Sequence, residues 1–214
     1  MYLPAHFEEH RPAVLHELLR RHPLGLLITQ TPGGELLANS VPFVLDADPA
    51  GGPGLLRAHV ARANPLWRDS RTDTPVLVVF QGPQAYISPS FYPSKAEHGK
   101  VVPTWNYVMV QARGRLRAID DAAWLHAFVT RLTDRHEAAR SAPWAVSDAP
   151  PDYVAGMVRA IVGIEVALTE LTGKWKVSQN RSAADRAGVT RGLGDAATQF
   201  EALCPAPPDR IEPA

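Results

Sequence analysis

The chain has 214 residues, of which 45% are hydrophobic, and its 22 Lys and Arg residues are balanced by 22 Asp and Glu residues. Folding a chain of this length buries roughly 70% of the surface of the unfolded chain, which supplies a sizeable core and excludes a disordered protein. A net charge of zero argues against a protein whose whole surface binds nucleic acid. The single cysteine excludes an internal disulfide and a thiolate zinc site.

Several kinds of segment and motif are missing from the sequence. No apolar run approaches the ~20 residues of a membrane-spanning helix, and the N-terminus lacks the basic and apolar regions of a signal peptide. The glycine-rich motifs of Rossmann and P-loop nucleotide sites are absent. The eight histidines are scattered without a recognisable ligand set, so we expect no metal site. We therefore expect a soluble, cytoplasmic protein.

The N-terminal quarter predicts one helix and one hairpin. Apolar residues between positions 14 and 19 lie on one face of a 3.6-residue period, which predicts a helix that Pro23 ends. Residues 24–30 and 35–45 predict two strands of a hairpin. Because proline cannot donate a hydrogen bond to a strand ladder, Pro42 predicts an edge position or a bulge.

The middle of the chain predicts further strands and one long loop. Strands are expected over residues 55–60, 76–80, 84–88 and 105–119, with a short helix over residues 61–70 and a hairpin joining 76–80 to 84–88. Residues 89–103 form an irregular stretch rich in Ser, Pro, Lys and Gly. Loops of this length within compact domains are usually functional.

The C-terminal part predicts helices on either side of one strand. Asp120 or Asp121 can cap a helix, a second helix is expected over residues 152–160, and a strand over residues 161–171. Ser182 then opens a short helix. Six or seven antiparallel strands followed by helices predict an α+β protein built on a small barrel.

Two segments gather side chains that could carry chemistry. His59, Arg62 and Asn64 lie where a predicted strand ends in a short helix, a combination that suits an anion; the alternative is a packed histidine and a solvated arginine. Residues 86–107 contain five aromatic side chains interleaved with hydroxyls and an amide. This pattern suits a planar heteroaromatic ligand or stacked bases, and equally a rigid loop over a barrel mouth or a dimer interface.

A basic stretch near the C-terminus is the third candidate. Only Asp185 opposes its five cations, which are Lys174, Lys176, Arg181, Arg186 and Arg191. The stretch is either a solvated basic face or a phosphate-binding segment, for a small cofactor or for nucleic acid.

Five motifs resemble, in order and spacing, the PaiB-like family of FMN-binding negative transcriptional regulators. They are MYLPAHF at residues 1–7, HVARANP at 59–65, YISPSFY at 86–92, VPTWNY at 102–107 and KWKVSQN at 174–180. The resemblance extends from residue 1 to about residue 193. Two positions depart from the family pattern: Phe91 stands where we expect tryptophan, and Ser40 stands where the family often has histidine.

The resemblance implies a split β-barrel related to the pyridoxamine-phosphate oxidase and flavin reductase folds, in a homodimer that holds FMN at its subunit interface. It implies that the phosphate end of FMN is held by Asn39, Ser40, His59, Arg62 and Asn64. The ribityl chain or the ring would meet Lys95, Trp105, Asn106 and Tyr107 from the same or the other subunit, and the site would be closed by Lys174, Lys176 and Gln179. Residues 1–203 would form one FMN-binding split-barrel domain with a C-terminal helical elaboration, and residues 204–214 a flexible tail.

Three functions remain open from the sequence. The first is an FMN-binding regulator whose flavin occupancy responds to redox state; DNA binding is implied by the family alone, because the sequence has no helix-turn-helix or zinc-finger motif. The second is a small flavin-dependent oxidoreductase that uses FMN at the dimer interface. The third is binding of haem or another planar cofactor, with His59 as the first candidate ligand.

Overall fold

The computed structural model of the chain describes residues 1–70 and 74–204. These residues contain eight strands: β1 (Glu8–Glu9), β2 (Leu24–Gln30), β3 (Leu36–Pro42), β4 (Val44–Asp46), β5 (Leu55–Ala61), β6 (Val76–Ile87), β7 (Thr104–Ile119) and β8 (Ile161–Lys176). They also contain seven α-helices: α1 (Pro12–Arg21), α2 (Leu66–Asp69), α3 (Ser94–His98), α4 (Ala122–Glu137), α5 (Pro151–Arg159), α6 (Ala183–Leu193) and α7 (Ala196–Glu201). Short 3-10 turns lie at Ala5–Phe7, Pro89–Phe91 and Val146–Asp148.

The strands form one antiparallel sheet in the order β3-β2-β6-β7-β8-β5-β4, and β1 pairs with β8. Successive side chains of a strand point to opposite faces, and β7 accordingly buries every second residue over much of its length, from Asn106 through Val108 and Val110 to Ala112. The predicted α+β class, antiparallel strands with flanking helices, is confirmed. Among residues 1–70 and 74–204, no helix is long and apolar enough to cross a bilayer.

The described residues group into two compact units. Unit 1 consists of Met1–His22, Phe80–Gln111 and the chain from Leu171 onward, and unit 2 consists of Pro23–Val79 and Ala112–Glu170. Strands β6, β7 and β8 contribute residues to both units. Apart from Cys204, the predicted flexible tail over residues 204–214 lies outside the described residues.

Each unit buries its own set of large apolar side chains. Burial of one such side chain stabilises the fold by about 1.5–3 kcal/mol, so each set fixes the strands that carry the polar residues described below. The set in unit 1 includes Leu18, Leu19, Phe80, Ile87 and Val108, and the set in unit 2 includes Leu27, Phe43, Leu56, Val78 and Ile164.

Several predicted elements are confirmed. Helix α1 contains the apolar face that the sequence predicts and ends before Pro23, and β2 has the predicted bounds. Helix α4 begins after Asp121, whose carboxylate accepts a hydrogen bond from the backbone N–H of Trp124 at 2.6 Å. Helix α6 begins after Ser182, whose hydroxyl accepts from the backbone N–H of Asp185 at 3.1 Å. Strand β8 is longer than predicted and extends to residue 176.

The predicted single strand over residues 35–45 is wrong. The chain ends β3 at Pro42 and continues as β4, which pairs with β5. The break follows from hydrogen bonding, because proline has no N–H to donate and the next N–H, that of Phe43, donates to the carbonyl of Pro23 at 2.8 Å. Strand β3 lies at the end of the sheet order, which is the edge position that Pro42 predicts.

The predicted hairpin over residues 76–88 is also wrong. Strand β6 runs without interruption through Gly82 and the proline after it. A Cβ added to Gly82 would lie 3.2 Å from Cδ1 of Leu18 and 3.3 Å from the carbonyl oxygen of Val108. Gly82 therefore permits close packing inside unit 1 and does not form a turn.

Candidate functional site

Five of the predicted residues lie in unit 2, around the end of β5. Asn64 Nδ2 donates to Oδ1 of Asn39 at 3.1 Å, and Asn64 Oδ1 accepts from the backbone N–H of Leu66 at 3.0 Å. Asn64 therefore ties β3 to the first turn of α2. Ser40 follows Asn39 on β3 and exposes its side chain to solvent. The structure thus brings Asn39 and Asn64, two of the residues assigned to the phosphate end, into contact.

Arg62 uses most of its hydrogen-bonding capacity inside unit 2. Its Nη1 and Nη2 donate to the two oxygens of Asp120 at 2.8 and 2.6 Å, while its Nε donates to the carbonyl of Arg159 at 2.7 Å and Nη2 to that of Ile161 at 3.0 Å. These contacts take four of the five N–H donors of a guanidinium. The hydrogen bonds from Arg62 also hold the pKa of the Asp120 carboxyl below its ordinary value. Arg62 therefore fixes the end of β5 to the start of β8.

His59 is packed among aromatic rings. Its ring meets the ring of Phe128 edge to face at 5.9 Å, and Phe128 stacks on Trp124 at 5.2 Å. Gly163 pairs with His59 across β5 and β8, and a Cβ added there would collide with the Trp124 ring. Burial lowers the pKa of His59, so its imidazole is neutral at pH 7. Its Nδ1 is buried without a hydrogen-bond partner among the described residues.

The cations of unit 1 gather around one tyrosine. Lys174 is buried, donates to the carbonyl oxygen of Tyr2 at 3.0 Å, and places its Nζ 5.4 Å from the centre of the Tyr107 ring. The Nζ of Lys176 lies 6.0 Å from the same ring and donates to the carbonyl of Trp105 at 2.6 Å. Two ammonium groups within about 6 Å of one ring are in the range of cation–π attraction.

The two lysines of this cluster have no ion-pair partner in the described part of the chain. Within residues 1–70 and 74–204, no ion pair joins Lys174 or Lys176 to a carboxylate, whereas the charge of Arg181 interacts with the carboxylate of Asp185. Burial lowers the pKa of Lys176, and the neighbouring charges of Lys174 and Arg181 lower it further, although Tyr107 opposes the shift. An anion bound here would relieve this repulsion.

Asn106 and Gln179 hold the turn that follows β8. The buried side chains of Asn106 and Ser178 hydrogen-bond at 3.0–3.1 Å, and Ser178 has a φ of +66°, in the left-handed region that non-glycine residues rarely adopt. Gln179 accepts from the backbone N–H of Val177 at 2.8 Å and donates to the carbonyl of Trp175. Gln179 therefore supports the turn with both ends of its amide.

Trp105 and Lys95 are the exposed members of the predicted set. Half of the Trp105 side chain is exposed, and its ring meets that of Tyr86 edge to face at 6.1 Å. Lys95 lies on α3 at the edge of a groove of about 690 Å³, whose other walls include Phe91 and Arg191. This volume falls within the roughly 300–1,000 Å³ of ligand pockets.

Sequence reasoning missed a second, smaller cavity. It has a volume of about 50 Å³, and Tyr92 contributes to the walls of both this cavity and the groove. The sequence marks Arg181 in the basic stretch and Tyr92 among the aromatic residues of 86–107, but no sequence signal places the two together. The cavity is lined by Tyr92, Thr104, Asn106, Lys176, Ser178, Asn180 and Arg181.

Comparison with known proteins places the chain in a family. Residues 1–170 match the family model described as "Putative FMN-binding domain". An uncharacterised protein of Emericella nidulans is 36% identical, and the match covers 92% of each chain. "Protease synthase and sporulation protein PAI 2" of Bacillus subtilis is 28% identical over 90% of this chain and 89% of its own.

Solved structures support the fold. A conserved protein of Mycobacterium tuberculosis superimposes with a TM-score of 0.58 at 12% identity, covering 85% of this chain and 94% of its own. A FAD and heme binding protein of Mycobacterium smegmatis gives a TM-score of 0.57 at 16% identity, covering 84% and 78%. These likenesses concern the fold alone, which is the split β-barrel that the resemblance implies. The chain therefore belongs to the FMN-binding domain family and is a split-barrel protein of the PaiB-like type.

Proposed function

We propose that this protein works as a homodimer that binds FMN, and that the twelve residues of the predicted set either contact the cofactor or position the residues that do. The observation that carries the proposal is the pair of ammonium groups, of Lys174 and Lys176, that lie beside Tyr107 in unit 1 without an ion-pair partner among the described residues. FMN, when bound, supplies one- and two-electron redox chemistry. The contribution of the protein is to bind and orient the cofactor with its own side chains.

The residues of unit 1 fit FMN in the chemistry of their donors. A phosphate needs cations and hydroxyl groups, and a flavin ring needs an aromatic or apolar face with N–H donors at its polar edge. Lys174 and Lys176 supply ammonium groups, and Tyr107 and Trp105 supply aromatic faces. In this proposal, Asn106 and Gln179 act by holding the turn after β8, and Lys95 contacts the ligand from the groove.

The predicted residues of unit 2 differ in how many hydrogen-bond donors they have left for the phosphate end of FMN. The amide of Asn39 and the hydroxyl of Ser40 retain donors that no described residue uses, whereas Arg62 retains one N–H. We propose that Asn39, Ser40 and Asn64 contact the phosphate end. Arg62 positions these three residues through its hydrogen bonds to Asp120, and His59 positions them through its packing against Phe128.

The proposal of a homodimer is supported by large apolar side chains that are exposed to solvent in a single chain. Trp105, Tyr86 and Val102 of unit 1 are each at least half exposed. Such side chains are enriched at protein interfaces. Light scattering is expected to give twice the 23.3 kDa of one chain. A mass of one chain at all concentrations, with and without FMN, would contradict the dimer.

The FMN site can be tested with a matched pair of tryptophan variants. Trp105 and Trp144 are 53% and 49% exposed, so replacing either by alanine leaves the core intact. Loss of one stacking contact costs about 1–3 kcal/mol, which is about five- to 150-fold in affinity. We expect Trp105→Ala to weaken FMN binding by at least about fivefold in a flavin fluorescence titration and Trp144→Ala to leave it unchanged. Equal affinities for Trp105→Ala and the wild type would refute the site.

We further propose that the FMN-bound dimer regulates transcription, as the family resemblance implies. The proposal concerns contact with DNA, so its test is a mobility-shift assay with the upstream region of the gene for this protein. We expect a shift at moderate salt that changes when FMN is added. No shift in either condition would count against regulation by DNA contact, and FMN retention would be unaffected by that result.

A further inference from the structure

Strands β2, β3 and β6 carry apolar side chains on both faces of the sheet in unit 2. One face is fully buried and includes Leu27 and Val78, which pair across β2 and β6. The alternating residues form the outer face, where Leu24 and Leu26 of β2 are 63% and 39% exposed and Leu36 of β3 is 69% exposed. An antiparallel sheet with one face in water normally alternates apolar and polar residues. A second apolar face therefore indicates a surface that a partner covers.

The register of the strands defines the outer face. Leu26 lies at its centre, between Ser40 of β3 and Val79 of β6. Two residues further along β2, Ile28 pairs with Leu77 of β6. At the positions that the strand pairing of the described residues places on this face, there is no Asp, Glu, Lys, Arg or His. Covering the outer face therefore removes apolar area from water and desolvates no charge.

The extent of the outer face suits a protein partner. Strands β2 and β3 have seven residues each. With a rise of about 3.4 Å per residue and a strand spacing of about 4.8 Å, three such strands present roughly 300 Å². A specific interface buries about 800 Å² of each partner, so the outer face can form its apolar centre. A lipid surface fits less well, because membrane-binding surfaces carry Lys and Arg beside their apolar groups.

A second copy of this chain is the partner whose surface matches best. In a two-fold symmetric contact the same patch meets itself, so one uncharged apolar face covers another and no charge is left without a partner. Interfaces of homodimers are also more apolar than those between independent proteins. We propose that the outer face of β2, β3 and β6 is the surface through which the chain binds a second copy of itself. Because β3 is the edge strand, Ser40 lies at the rim of this surface and stays accessible to a ligand.

This inference rests on the homodimer of the proposed function and assigns a surface of unit 2 to it. The remaining area of the interface is left to other exposed apolar residues, Trp105 and Tyr86 among them.

Leu26→Glu tests the interface in the full-length protein. It brings a carboxylate from each copy into the centre of an apolar contact, where burial and like charge both oppose association. We expect sedimentation equilibrium to give a dissociation constant of the dimer at least about 100-fold higher than that of the wild type. Leu24→Glu changes a more exposed side chain of the same face and is expected to weaken the dimer in the same direction. A cooperative urea transition in each variant shows that the fold is intact.

Met157→Glu is the matched control. Met157 lies on α5 in the same unit, outside the outer face, and is 49% exposed, so the same charge replaces an apolar side chain of similar exposure. This variant is expected to dimerise like the wild type. Three results overturn the proposal: wild-type dimerisation by both Leu26→Glu and Leu24→Glu, loss of the dimer in Met157→Glu with retention in Leu26→Glu, or a monomeric wild type, whether or not it sediments with phosphatidylcholine vesicles.

A flavin fluorescence titration of the wild type separates this inference from the proposed function. A wild-type dimer that binds FMN and persists in Leu26→Glu and Leu24→Glu refutes the outer face as the interface and leaves the proposed function standing. A dimer that Leu26→Glu dissociates, in a protein that binds no FMN, supports the interface and refutes the FMN function. The two failures are therefore distinguishable.

Discussion

Glu165 lies at the centre of a charge network in unit 2, and neutralising it is expected to destabilise the fold. Glu165 is 1% exposed, and its two oxygens accept from Nε of Arg57 and from Nε of Arg117, each at 2.7 Å. Arg57 also pairs with Asp46, which Arg131 contacts at 2.9 Å. Glu165→Gln keeps the shape of the side chain, but it turns one accepting oxygen into an N–H donor that faces an arginine.

The magnitude follows from how well each arginine is solvated. A hydrogen bond to a charged group contributes about 1.5–3 kcal/mol. The side chain of Arg117 is 72% exposed, so water screens its bond to Glu165, whereas that of Arg57 is 29% exposed and keeps most of its value. We expect Glu165→Gln to lower the free energy of unfolding by about 2–3 kcal/mol at pH 7, which corresponds to roughly 5–10 °C in Tm for a chain of this size.

The effect has a defined pH dependence. Burial raises the pKa of Glu165, but hydrogen bonds and charge from Arg57 and Arg117 outweigh burial and hold the pKa below the ordinary carboxyl value of 4.5. The stabilisation is therefore present above pH 4.5 and is lost as the pH falls through the lower pKa of the folded state. The difference in stability between wild type and Glu165→Gln should shrink below about pH 4.5.

Urea unfolding followed by tryptophan fluorescence at several pH values measures this difference. Glu170→Gln is the matched control on the same strand, because Glu170 is 57% exposed and lies 4.0 Å from an exposed Arg113. An exposed pair contributes less than about 1 kcal/mol. Two results would refute the reasoning. One is a loss of less than about 0.5 kcal/mol in the free energy of unfolding of Glu165→Gln at pH 7; the other is a stability difference between the wild type and Glu165→Gln that stays constant through the pH range in which carboxyl groups titrate.

Three further predictions concern the backbone, the thiol and the packing around His59. Ser178→Gly relieves the strained φ of +66° and Ser178→Ala does not, so the glycine variant should unfold at a higher urea concentration than the alanine variant. The reverse order would contradict the claim that the backbone is strained at this residue. Burial raises the pKa of Cys204 from 9.0 to about 11, so its reaction with a disulfide reagent at pH 8 should be about 100-fold slower than that of an exposed cysteine, and an equal rate would falsify this. Gly163→Ala forces a Cβ into the Trp124 ring and should cost about 1–3 kcal/mol in urea unfolding; an unchanged midpoint would mean that the ring moves freely.

The elements that the sequence predicts correctly carry local signals. The apolar face of α1, the cap residues Asp121 and Ser182, and the alternation along β7 each lie within a few residues of the element they define. Gly82 misled the prediction because glycine marks both turns and close packing. Only the neighbours brought by the fold, Leu18 among them, distinguish the two cases.

The sequence likewise predicts only some features of the candidate site. Family motifs identify residue types such as Lys174 and Lys176, but they do not reveal what each side chain contacts. Arg62 meets Asp120, which lies 58 residues further along the chain, and no local pattern predicts that pair. The ring of Tyr92 and the guanidinium of Arg181 come together only in the folded unit.

The most direct test of FMN binding is the visible absorption spectrum of the purified protein, recorded before and after incubation with FMN and desalting. The cation cluster around Tyr107 and the family to which the chain belongs predict that flavin absorbance stays with the protein fraction. A protein that remains colourless after incubation with excess FMN would contradict the central claim.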